Sequence, residues 1–124
     1  MKKFIYLMAA LVAVSSFSSC SKDYVGGKNL LIGDWEVYEY DTYDASGNLT
    51  DPDEGGWTYH FLKDGTFSAD GSYSDKGTWS YDRKSRTLML NDTEYIVLQL
   101  TSSEARLKEM DDDGSFWIEY LKKK

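Results

Sequence analysis

The chain has 124 residues, 41% hydrophobic and 15% aromatic, which gives one globular domain and excludes a largely disordered polypeptide. The net charge is −7, and once Lys2 and Lys3 are set aside 12 basic residues stand against 21 acidic ones, a balance that a nucleic-acid backbone or an anionic membrane face repels. A single cysteine, Cys20, and a single histidine, His60, exclude an internal disulfide and a Cys/His zinc site, so neither a metal nor a cofactor is expected.

Lys2 and Lys3 lead into an apolar stretch at 4–14, after which Ser15, Ser16, Ser18 and Ser19 run up to Cys20. A basic start, a short apolar segment and small residues make 1–19 a signal peptide. Its apolar part would form a helix of about 16 Å, against a hydrocarbon core of about 30 Å, too short for a permanent span. The segment "FSSCSKDY" resembles the lipobox of bacterial lipoproteins, and its serine-rich form is similar to that of Bacteroidota. The resemblance implies that Cys20 is lipidated on sulfur and acylated on nitrogen as the mature N-terminus. It further implies an outer-membrane protein facing either the periplasm or the cell surface. Two or more acyl chains give stable anchoring. Residues 20–29, with Gly26 and Gly27 and no apolar pattern, are expected to form the lipidated cysteine and a flexible tether, with the domain at 30–124.

From Leu30 onward apolar and polar residues alternate with period two, broken by turn residues, and no helical spacing occurs. Trp35 and Val37 alternate with Glu36 and Tyr38; Trp57, Tyr59 and Phe61 alternate with Thr58 and His60. Asp64-Gly65 suits a type I′ hairpin turn. Phe67, Ala69 and Tyr73 then share a face, with Gly71 as an expected bulge, and Trp79 and Tyr81 share one on the next strand. Leu88 and Leu90 precede the Asn91-Asp92 turn, 95–100 is apolar on both faces, and 105–110 follows. The last strand alternates Phe116, Ile118 and Tyr120, expected on the inner face, with Trp117, Glu119 and Leu121, expected on the outer one. Eight strands joined by short turns predict an antiparallel up-and-down β-barrel, which leaves no open edge. The stretch 41–56, with Pro52, glycines and acids, is expected to be a long loop of the functional kind.

The segments "GDWEV", "FLKDGTF", "GTWSYD" and "TLML", in this order, resemble the lipocalins and more closely the short lipocalin-like lipoproteins of Bacteroidota. The resemblance covers 30–124. It implies Gly33 and Trp35 at the closed end of the barrel, Trp35 beneath an arginine late in the chain, where this sequence has Arg106 one strand before the last and only Lys122 to Lys124 at the end, and the 41–56 loop over an open mouth. It also implies a small hydrophobic or amphipathic ligand, for which Tyr59, Phe67, Trp79, Tyr81, Leu88 and Phe116 are the candidate lining, with Glu39 or Arg106 near a rim. An eight-stranded barrel is just wide enough either to be filled by its own side chains or to hold one small ligand, and both arrangements fit these strands.

His60 lies opposite Trp57, Tyr59 and Phe61 in parity, with no G-x-S-x-G motif or second histidine in the chain, so enzymatic activity is not expected. Asp111, Asp112 and Asp113 lack the alternating spacing of a calcium loop, as do Asp51, Asp53 and Glu54. Tyr38, Tyr40 and Trp117 take the outward parity of the first and last strands. They suggest the alternative of a protein- or glycan-binding module working from its outer surface around a solid barrel.

Overall fold

The structure, a computed structural model, describes residues 25–124; the signal peptide, Cys20 and the tether as far as residue 24 lie outside the described residues. A 3-10 turn at Lys28–Leu30 leads into β1 (Gly33–Tyr43), β2 (Leu49–Asp53), β3 (Trp57–Phe61), β4 (Thr66–Gly71) and β5 (Asp75–Asp82). β6 (Thr87–Leu90), β7 (Thr93–Leu100), β8 (Glu104–Met110) and β9 (Phe116–Lys123) complete the chain. β1 and β3 to β9 are antiparallel neighbours, and β9 pairs back onto β1, which closes the eight-stranded up-and-down barrel that the alternation predicts.

The stretch expected as a long loop is instead an extension of β1 and a hairpin. β1 pairs with β3 as far as Val37–Trp57, then carries on to pair with β2 from Tyr40–Asp53 to Tyr43–Leu49. All of β2 is exposed, so it shows no apolar alternation, and an edge strand tolerates the missing N–H of Pro52. The turn is held by the Asp44 carboxylate, which accepts the backbone N–H groups of Ser46 at 3.0 Å and Asn48 at 2.9 Å. At Asp64-Gly65 only the glycine has positive φ, 92°, and its N–H donates to Leu62 O, so the hairpin is a type I turn closed by a glycine bulge rather than type I′.

The lower half of the barrel is solid. Trp35, Val37, Leu88, Val97, Leu100 and Leu107 have 0% exposure, and Phe61, Phe67 and Trp79 pack among them with ring centroids 5.4 to 6.3 Å apart. The segment preceding β1 plugs this end, and from Val25 onward the described residues are already bonded to the barrel. Val25 bridges to Leu100, Gly26 N–H donates to Leu100 O at 2.8 Å, and the Tyr81 hydroxyl donates to Gly26 O at 3.0 Å. Trp35 Nε1 donates to Leu31 O at 2.9 Å. Lys123, at the end of β9, completes the closure: its ammonium donates to Leu30 O at 3.0 Å and Ile32 O at 2.9 Å and lies 4.7 Å from the centre of a Trp35 ring. Gly33 makes room for it, since a Cβ there would stand 2.7 Å from Lys123 Cε and the backbone φ of 127° also disfavours any other residue.

Candidate functional site

The upper half of the barrel is hollow because β1 contains a bulge. Val37 pairs with Leu121 but Glu39 pairs with Tyr120, so one residue, Tyr38, is extra on β1. A one-residue slip exchanges the two faces of a strand. Trp35 and Val37 therefore point inward below the bulge, while Tyr40, paired with Glu119, turns inward above it. On β9 it is Glu119 and Leu121 that are buried, at 4% and 1% exposure. The expected parity of this strand is thus reversed, and Trp117 shares the inward register of Glu119.

These turns of register assemble a cup of about 310 Å³ at the mouth, lined by Tyr40, Trp57, Tyr59, Tyr73, Thr93, Tyr95, Glu109 and Glu119. Its volume lies at the lower end of the range of small-molecule sites, about 300 to 1,000 Å³. Trp57 organises the aromatic wall, with Tyr40 at 5.5 Å, Tyr73 at 5.6 Å and Tyr59 at 6.3 Å between ring centroids, each edge to face. Its buried Nε1 makes no hydrogen bond of good geometry, but it lies close enough to the Tyr59 hydroxyl to favour the ionised form of that group slightly. Glu119 forms the floor and accepts the Tyr59 hydroxyl at 2.8 Å. Burial pushes the Glu119 carboxyl up to about 8; the Tyr59 hydrogen bond opposes this and the charge of Glu109 adds to it. Burial likewise raises Glu109, assisted by Asp111, and holds the Tyr59 and Tyr95 hydroxyls in their neutral form.

Of the ligand-lining residues expected from the sequence, Tyr59 alone lies in this cup. Phe67, Trp79 and Leu88 belong to the solid lower half, where Trp79 Nε1 donates to Leu62 O at 2.9 Å. Tyr81 is half-buried at the closed end with its hydroxyl on Gly26. Phe116 is on the outer wall, stacked on Tyr43 at 4.8 Å with the Lys108 ammonium 4.3 Å from its ring centre. Gly33 and Trp35 occupy the closed end as expected. Glu39 and Arg106 are not at the rim: both follow the outward register of Tyr120, and Arg106 Nε donates to Gln99 Oε1 at 3.3 Å. With Tyr40 and Trp117 turned inward, the expected outer aromatic patch reduces to Tyr38, 40% exposed and 6.4 Å from the Tyr120 ring.

His60 is on the outer wall, as its parity predicts, and is held there by two carboxylates. Asp34 Oδ1 lies 2.8 Å from Nδ1 and Asp70 Oδ2 3.1 Å from Nε2, tying β1, β3 and β4 together across their outer faces. The Asp34 hydrogen bond raises the imidazole above its ordinary value, partial burial opposes it, and Asp70 adds to the rise. At the Asp111 turn, Asp113 accepts the N–H and hydroxyl of Ser115 at 2.8 and 2.6 Å, which is turn chemistry. Among the described residues no group of three or more acidic, histidine or cysteine side chains is placed to hold a metal ion. A larger depression of about 540 Å³ lies along β4 and β5, lined by Leu62, Phe67 and Lys76 and by no carboxylate.

No protein-family model matches the chain, and no match was found among curated proteins or solved structures.

Proposed function

We propose that the protein is a lipid-anchored, non-enzymatic binding protein of the outer membrane that holds one small hydrophobic or amphipathic molecule in the mouth of its barrel. The observation that carries this reading is the division of the interior into a solid lower half and a ring-lined cup with a buried carboxyl at its floor. A barrel that needed only to be stable would fill both halves, since a void forfeits packing contacts. The anchor is Cys20, supplied by the lipobox-like segment, and the acidic surface keeps the domain from nucleic acid. Binding rather than catalysis is supported by the cup's chemistry: phenols, an indole, a threonine and two carboxyls, with no histidine or thiol lining it.

Native mass spectrometry of the gently purified protein, compared with the denatured sample, tests this reading. The expected result is an extra mass released on denaturation and absent from a Tyr95→Trp variant, whose larger ring fills the cup. A bare polypeptide mass, together with an unchanged Trp57 indole signal in a library of small amphiphiles, overturns it.

A further inference from the structure

Resting on the assignment of the cup as the binding site, we propose that its ligand is an organic cation, an alkylated ammonium whose charged head lies over the rings of Trp57, Tyr40 and Tyr59 and against the Glu119 carboxylate. The face of an aromatic ring is electrostatically negative and attracts an ammonium within about 6 Å of its centre, more strongly when water is excluded. Five such rings line the cup, and its side chains that can carry a charge complementary to a cation are the two carboxyls of Glu109 and Glu119. No lysine or arginine lines it.

Elsewhere the protein supplies its own cations to its rings. Lys123 sits over Trp35 at 4.7 Å, Lys28 over Trp79 at 5.2 Å, Lys122 over Tyr38 at 5.4 Å and Lys108 over Phe116 at 4.3 Å. None of these rings belongs to the cup, whose aromatic wall has no such partner among the described residues. A neutral hydrocarbon would fill the volume but offer the Glu119 carboxyl no partner beyond the Tyr59 hydroxyl. An ammonium satisfies both the rings and the carboxylate.

The groups facing Glu119 are the Tyr40, Tyr59 and Tyr95 rings from β1, β3 and β7, Tyr73 from the turn after β4, and the Glu109 carboxyl from β8. None of them is cationic, so a bound cation is the partner that keeps Glu119 ionised. Because burial holds the empty carboxyl at about 8, loading a permanent cation below that pH releases a proton to solvent. Affinity then rises by up to about tenfold per pH unit towards pH 8 and levels off above it.

Isothermal titration of the full chain in mild detergent tests the inference with two probes of equal shape, choline and its uncharged counterpart 3,3-dimethylbutan-1-ol. At pH 8.5 choline is expected to bind at least tenfold more tightly than the alcohol and to weaken at least tenfold at pH 6. Glu119→Gln, which keeps the volume and the contact to Tyr59, should abolish both the preference and the pH dependence, and Glu109→Gln should weaken choline several-fold in a barrel whose floor is untouched. Equal affinity for the two probes, or a choline affinity indifferent to either substitution, overturns the cationic class while leaving the cup as a binding site. Failure of both probes to bind or to shift the Trp57 indole resonance overturns the inference and the assignment of the cup with it.

Discussion

Glu119 is a buried carboxyl without a counter-cation among the described residues, and such a group makes a measurable demand on stability. In the unfolded chain it loses its proton near the ordinary glutamate value, 4.5, whereas in the barrel it keeps it to about 8. Between those values the folded state binds one proton more than the unfolded state, so stability falls as pH rises, by at most about 1.4 kcal/mol per pH unit. Glu119→Gln should flatten this slope in urea titrations from pH 5 to 8 and leave the variant more stable than the parent at pH 8. A steeper or unchanged slope would show that the carboxyl is already ionised. His60 acts in a neighbouring window by the opposite chemistry. Its folded value is raised by Asp34 and Asp70, so its contribution is complete below the unfolded value of 6.5 and disappears as pH rises through the folded one. Being a partly exposed ion pair, it is worth about 0.2 to 1 kcal/mol, and His60→Gln should remove that amount at pH 5.5 and nothing at pH 9.

Among the elements, the strands of the barrel were legible wherever one face is apolar: Trp57, Tyr59 and Phe61 on β3, and Leu88 and Leu90 on β6, fall on the inner wall as their alternation indicates. Two features hid the mouth. On β9 both parities carry large apolar residues, so the alternation decides nothing, and Glu119 pointed the reading the wrong way because a glutamate is ordinarily outside. On β1 the extra residue at Tyr38 reverses parity in mid-strand, and a bulge leaves no mark in a sequence that has neither glycine nor proline at that place. The candidate site could be read only as far as Tyr59, since the cup is made by residues that these two strands swing inward. At the opposite end the final strand holds the entering chain in place through Lys123. Lys123→Met keeps the aliphatic stem but removes two charge-assisted hydrogen bonds and the contact with Trp35, and should cost about 2 kcal/mol. Amide exchange at Gly26 and Leu31 should accelerate more than exchange at β6, because those N–H groups belong to the plug that Lys123 holds. Equal acceleration throughout would mean that the plug is not a separately stabilised element.

For the whole molecule, the entry of the chain at the closed end sets the direction of the mouth. Val25 is bonded under the barrel beside Leu100, and the five peptide units from Cys20 to Val25 reach at most about 18 Å. An anchor at Cys20 therefore keeps the closed end near the bilayer and turns the cup away from it. Trp57 lies four residues up β3 from Phe61, about 13 Å farther from the plug at about 3.3 Å per residue. In protein anchored on nanodiscs containing a headgroup-labelled paramagnetic lipid, the indole N–H signals of Trp35 and Trp79 should broaden before that of Trp57. Cys20→Ser should abolish all three effects and release the protein from the membrane fraction without altering ligand affinity. Preferential broadening of Trp57 would instead place the mouth against the lipid, and the ligand would then be drawn from the bilayer. If an anchor at Cys20 turns the mouth outward, the proposed ligand arrives through water, which favours a soluble cation over a free hydrocarbon, and the acidic composition of the domain concentrates cations around that opening.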